Sequence, residues 1–216
     1  RTVSLHYGMI TKTDDAIGRM LSYLDRTGRS ENTVVIYTSD HGDMCGERRM
    51  LDKHYVMYES VARVPLIIKM PGGARRTVND PVINALDIVP TLLDICGLPK
   101  PDGLEGESLY PYLTGSRPEK TRKYALSTYN GQQFGLYTQR MITDGRVKYV
   151  WNCSDKDELY LLDGDPAELC NRVDDPSCAE LLLKLRRDMV KELTDADDYT
   201  MRSPWLRDTL YNGRKA

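Results

Sequence analysis

The chain has no excess of charge of either sign: 30 Lys plus Arg stand against 32 Asp plus Glu in 216 residues, a formal net charge of −2. A balanced, mixed-sign surface lacks the basic footprint that nucleic acid requires. No run approaches the ~18 continuous apolar residues of a membrane helix, so no span is expected. The five cysteines, at positions 45, 96, 153, 170 and 178, share no C-x-x-C spacing, which excludes a zinc ribbon and a thioredoxin-type motif. Their odd number denies a closed set of intrachain disulfides, although one pair among Cys153, Cys170 and Cys178 can bridge in an oxidising compartment. Internal repeats, low-complexity tracts and a signal-peptide pattern are also lacking. What is present is 40% hydrophobic residues, enough core for one generous domain or two small ones.

From His6 to Arg26, Ile10, Ile17, Met20, Leu21 and Leu24 recur at three- and four-residue steps, which predicts an amphipathic helix capped by Gly28. Thr33 to Thr38 and Val64 to Met70 are apolar runs without polar alternation. Such runs suit strands covered on both faces, as in a mostly parallel sheet flanked by helices. Ala85 to Cys96 reads as a helix stopped by Gly97 and Pro99, and Ser108 to Leu113 as a short one closed by Gly115. Past the polar linker from Ser116 to Lys123 the pattern changes. Tyr124 to Tyr129, Leu136 to Thr143, Arg146 to Trp151 and Glu158 to Leu162 are short strand candidates, with Asp144-Gly145 as a hairpin turn, and a helix is predicted from Cys178 to Leu193. The expected class is therefore α/β over residues 1–115, followed by a small antiparallel sheet plus helix over residues 116–216.

Between the two apolar runs lies a long polar connection, the place where open α/β sheets set their sites. It begins Ser39-Asp40-His41-Gly42-Asp43. A carboxylate and an imidazole at consecutive positions beyond a strand can turn toward one cation while Gly42 lets the backbone bend. The other reading keeps Asp40 as a turn cap and His41 as a surface residue. Lys53 and His54 follow, with Arg48 and Arg49 nearby; these cations suit an anionic substrate group, whereas any one of them alone reads as a solvated loop residue. A hard-cation pair and a basic cluster in one connection point to phosphoryl or sulfuryl ester chemistry.

These residues carry a resemblance. The run from Asn32 to Met44, continued by Gly46-Glu47, Lys53, Tyr58-Glu59 and Arg63 to Ile68, resembles the sulfatase family of the alkaline phosphatase superfamily. So do Asp14 to Arg19 upstream, and Asp87 to Asp94, Gly97-Leu98-Pro99, Gly106 to Leu109, Lys148-Tyr149, Glu158-Leu159-Tyr160, Asp165 to Glu168 and Asn171 downstream. The resemblance implies the C-terminal part of an alkaline-phosphatase-like sandwich. It implies Asp40 and His41 as calcium ligands and Lys53 as a contact to sulfate ester oxygens. His54 has no secure counterpart and stays a lesser substrate-binding candidate. Glu59 and Arg63 read as an ion pair orienting the loop, and Asp87 and Lys148 as fold-maintaining.

The departure from the family is as informative. Its nucleophile is a formylglycine made within a C/S-x-P-x-R motif, placed upstream with an Asp pair that completes the calcium site. Cys45 is followed by Gly-Glu-Arg-Arg and Cys96 by Gly-Leu-Pro-Lys, so neither meets that pattern, and Asp14-Asp15 belong to a helix. No catalytic nucleophile is therefore assigned in this chain, and a complete Ca²⁺ site requires residues it does not contain. With Arg rather than Met at position 1, the expectation is the C-terminal portion of a chain roughly twice as long, itself in the multi-domain size range. The implied activity is calcium-assisted cleavage of a carbohydrate or aryl sulfate ester by the parent protein, in a periplasmic, secreted or lysosome-like setting. The alternatives are a phosphate or phosphonate monoester hydrolase of the same superfamily and a non-catalytic sulfatase-like binding module.

Overall fold

The structure is a computed structural model that describes residues 2–73, 78, 83–118, 121–131 and 137–213. The chain divides into two compact units: Arg1–Val56, Ser60–Asp80 and Ala85–Glu119 form the first, and Met57–Glu59, Pro81–Asn84 and Lys120–Ala216 the second.

The first unit opens with helix α1, Thr2–Arg26, which starts before the apolar periodicity does. It closes where Gly28 takes a left-handed φ of 67° that its missing Cβ permits. Strand β1, Val35–Thr38, pairs with β2, Leu66–Lys69, in antiparallel register from Val35 opposite Lys69 to Thr38 opposite Leu66. An antiparallel pair of this kind is compatible with the expected mostly parallel α/β class, in which single strands run against the rest. Tyr37 and Ile67, which face each other across the pair, are 43% and 61% exposed. An apolar run specifies that a strand exists, but a connection as long as residues 39–65 can return the chain in either direction. The short helix α2, Glu59–Ala62, lies within that connection.

A 3₁₀ turn, Ala85–Asp87, leads into α3, Ile88–Ile95, and then α4, Tyr110–Thr114. Asp87 is buried and its Oδ1 accepts from the Glu107 backbone N–H at 2.8 Å. Thr91 extends the tie: its hydroxyl donates to the Asp87 carbonyl at 2.5 Å and accepts from the Leu109 N–H at 2.8 Å. Gly106 is obligatory in this clasp, because a Cβ there would lie 2.1 Å from the Leu86 carbonyl oxygen.

The second unit is a four-stranded antiparallel meander of β3, Ala125–Gly131, β4, Tyr137–Thr143, β5, Val147–Asn152, and β6, Glu158–Leu161, in that spatial order. The expected start of β4 at Leu136 lies outside the described residues. The Asp144-Gly145 turn forms as its sequence demands: Gly145 has φ 85°, and Asp144 Oδ1 accepts from the N–H groups of Arg146 and Val147 at 2.9 and 2.8 Å. Helix α5, Ala179–Asp195, lays Leu182, Leu185, Met189 and Leu193 onto Ile142, Tyr149, Trp151 and Leu159 of the sheet. Each such buried side chain contributes about 1.5–3 kcal/mol over an exposed one. The tail after α5 packs within its own unit, where Leu210 of α6, Pro204–Asn212, is fully buried in the same core. Ser203 caps that helix by accepting from the Leu206 N–H at 3.3 Å, with Pro204 in its first turn.

All five cysteines are free thiols. Among the described residues no helix is long and apolar enough to cross a membrane.

Candidate functional site

The loop leaving β1 is held by its own backbone. Gly42 N–H donates to the Val61 carbonyl at 2.9 Å, and a Cβ on Gly42 would sit 1.9 Å from the Ser60 carbonyl oxygen. The glycine is therefore required for close approach to the 60–61 segment. It does not supply a left-handed bend, since it is not among the positive-φ residues. Met44, wholly buried, pins the loop from within, and Glu47 and Ser60 side chains hydrogen-bond beside it. Cys45, Arg48, Arg49, Asp52 and His54 all take positive φ, which costs non-glycine residues of order 1–3 kcal/mol each and gathers where function imposes geometry.

Three of the four candidate residues meet. His41 Nδ1 lies 2.8 Å from the Gly42 carbonyl oxygen. A carbonyl can only accept, so Nδ1 is the donor of that hydrogen bond, and Nε2 is turned toward Asp40 and Lys53. Asp40 Oδ2 is 3.5 Å and Lys53 Nζ 3.0 Å from that Nε2. The Asp40 carboxyl is held below its ordinary value of 3.8, first by the His41 backbone N–H, then by its own N–H and by the His41 charge, so it stays ionised. Its side chain is 84% exposed, that of His41 37%, which leaves both open to a ligand. His54 does not join them by any described hydrogen bond. It is exposed, with φ 44°, and its ring meets Tyr55 edge-on at 6.4 Å.

Glu59 makes a described ion pair with Lys148, 2.6 Å away in the second unit. Lys148 and Asp87 are both buried in polar contacts of structural character, Lys148 with two glutamates and Asp87 with the Glu107 backbone. One grouping had no sequence signature: ligand atoms of His6, Asp43 and Cys45 lie within 4.8 Å of one another. His6 comes from α1 and the others from the loop after β1, and nothing in local spacing announces that meeting.

The chain is similar to several known proteins. A family profile described as Sulfatase matches residues 1–98. An arylsulfatase of Clostridium perfringens (strain 13 / Type A) is 35% identical over 203 residues, covering 92% of this chain and 41% of the relative. Among solved structures, one titled as a 2-O GAG sulfatase superposes with a TM-score of 0.81 at 28% identity, over 93% of this chain and 45% of the other. The phosphonate monoester hydrolase of Agrobacterium radiobacter superposes with a TM-score of 0.78 at 34% identity, over 86% of this chain and 40% of the other. The chain thus spans about two fifths of the length of the relatives it matches.

Proposed function

The chain belongs to the sulfatase family of the alkaline phosphatase superfamily, and from that premise we propose that it supplies the cation- and anion-binding side of a sulfuric ester hydrolase site. The observation that carries the reading is the convergence of Asp40, His41 and Lys53 on one point. The metal of this reading is Ca²⁺, and the donors fit a cation. Neighbouring ligands at about 2.4 Å from one ion stand about 3.4 Å apart, and Asp40 Oδ2 and His41 Nε2 are 3.5 Å apart. Asp40 and His41 would hold the ion; when bound, it withdraws charge from the ester oxygens. Further oxygen ligands come from outside these residues, since hard cations take 6–8.

Lys53 serves as a point charge for the sulfate oxygens, its ammonium already placed beside the His41 ring. The 216 residues include no C/S-x-P-x-R motif, so the attacking formylglycine is assigned outside them. The substrate is proposed to be a carbohydrate or aryl sulfate. A phosphonate or phosphate monoester is the second reading, favoured by the phosphonate monoester hydrolase likeness. A pure binding module would have no use for Asp40, His41 and Lys53 together.

The test is hydrolysis of an aryl sulfate and an aryl phosphonate by this chain and by a longer one carrying a C/S-x-P-x-R segment. Turnover of the sulfate by the longer chain only, lost in its Asp40→Asn variant, is the expected result. Turnover by the 216 residues alone overturns the division of the site, and a preference for the phosphonate moves the assignment to the second reading.

A further inference from the structure

We propose that His6, Asp43 and Cys45 form a second metal site, selective for a borderline divalent ion such as Zn²⁺. It shares no residue with the Asp40–His41 pair and does not rest on the sulfatase reading. Among the described residues these three form the group of His, Cys, Asp and Glu whose ligand atoms all lie within 4.8 Å of one another. The donors are one imidazole nitrogen, one carboxylate oxygen and one thiol sulfur. That mixture suits Zn²⁺, which binds sulfur at about 2.3 Å and nitrogen at about 2.0 Å, and its thiol sulfur is a poor donor for a hard ion such as Ca²⁺.

The scaffold is arranged for it. Asp43 and Cys45 flank Met44, whose complete burial anchors the loop between them. The Cys45 backbone N–H donates to Asp43 Oδ1 at 2.6 Å, which fixes the carboxylate and leaves its other oxygen to ligate. Two hydrogen bonds, Glu47 N–H to Met44 O at 2.7 Å and Gly46 N–H to Met50 O at 2.8 Å, hold the turn that presents Cys45. His6 approaches from α1, in the same compact unit. Tetrahedral ligands around zinc stand about 3.3–3.8 Å apart, so closing from 4.8 Å or less asks only for side-chain rotation. His6 and Cys45 are half-buried and Asp43 is exposed, which gives the ion a path in and leaves a fourth position for water. On binding, the Cys45 thiol releases its proton to solvent and ligates as thiolate; with the Asp43 carboxylate it balances the two charges of the ion.

The experiment titrates Co²⁺ into the chain and reads the thiolate-to-cobalt absorption band, then displaces it with Zn²⁺. Wild type is expected to bind one equivalent with that band. Cys45→Ser should abolish the band, and His6→Ala and Asp43→Asn should each weaken Zn²⁺ by about tenfold or more. Excess Ca²⁺ should leave the cobalt band unchanged, which separates this site from the calcium pair. Cys96→Ser with Cys170→Ser removes the two exposed thiols and should change nothing. A band that survives Cys45→Ser, equal Zn²⁺ affinity in His6→Ala, or no binding by wild type overturns the proposal. Circular dichroism of each variant confirms that its fold is intact, and a thermal midpoint raised by Zn²⁺ in wild type but not in His6→Ala gives an independent readout.

Discussion

The Lys148 ammonium lies 2.8 Å from Glu168 Oε1, and both residues are withdrawn from water, Lys148 entirely and Glu168 to 2% exposure. The ammonium also lies 2.6 Å from Glu59 Oε1 and donates to the Met57 carbonyl at 2.9 Å. Glu168 Oε2 in turn accepts from the Glu59 backbone N–H at 2.7 Å. One buried cation therefore serves two carboxylates and ties the Met57–Glu59 segment into the second unit. Lys148→Met should cost about 3–5 kcal/mol, because it strands a buried carboxylate. Glu59→Gln should cost less, since Glu59 is 23% exposed and the Glu168 pair survives it. Urea denaturation of the two variants checks the order; equal costs would contradict it.

Glu168 also sets a pH dependence. Burial raises its carboxyl above the ordinary 4.5, against the lowering pull of Lys148 and of the Glu59 N–H. The folded state then holds a proton that the unfolded chain has already released. Stability from this group is full below 4.5 and falls as pH rises through the raised value. Glu168→Gln cannot titrate, so its thermal midpoint should lack that decline. A wild type and variant with parallel pH profiles would sink the assignment.

Asp198 has the opposite sign. Burial opposes its ionisation, but the Arg140 hydrogen bonds and those of Thr200 outweigh it and hold the carboxyl below 3.8. The Arg140 guanidinium, wholly buried, donates to it through Nε at 2.9 Å and Nη2 at 3.1 Å. The stabilisation is present above 3.8 and is lost as pH falls through the lowered value. Asp198→Ala leaves the guanidinium unpaired and should cost about 3–5 kcal/mol at neutral pH, with acid sensitivity reduced in the same window. Denaturation at neutral and acid pH measures both.

Two glycines should respond in opposite directions to alanine. At Gly42 the new Cβ would meet the Ser60 carbonyl at 1.9 Å, and backbone must move, at a cost of about 1–3 kcal/mol or more. Gly18, inside α1, has nothing within 4 Å of a built Cβ, so Gly18→Ala should stabilise by about 0.5–1 kcal/mol. Thermal melts of the pair decide this, and a neutral Gly42→Ala would rule out the close approach.

Asp40 and Lys53 should separate in binding. Asp40→Asn removes a charged oxygen ligand and should weaken Ca²⁺ by about tenfold or more. Lys53→Ala should leave Ca²⁺ binding intact or tighter, since the ammonium no longer stands beside His41 Nε2, while raising KM for a sulfate ester in the longer chain. Calorimetric Ca²⁺ titration and steady-state kinetics read the two effects; weaker Ca²⁺ binding in Lys53→Ala would contradict this arrangement.

Much of this protein was legible from local pattern. The α5 stripe of Leu182, Leu185, Met189 and Leu193, the Asp144-Gly145 hairpin and the cap at Gly28 each follow from periodicity or backbone preference within a few residues. Asp40 and His41 stand together at the end of β1 in the sequence, whereas the approach of Lys53, twelve residues on, is visible only in the structure.

What the sequence by itself determined, then, was the kind of most elements and the family. The tertiary structure alone decided the antiparallel return of β2, the pairing of Lys148 with Glu59 and Glu168, the role of Gly42 as a contact point and the meeting of His6 with Asp43 and Cys45. The physical reason is common to all four. Backbone preference and hydrophobic periodicity act over one or two turns of chain, whereas strand direction, close approach and the partner of a buried charge depend on which distant segments packing brings together.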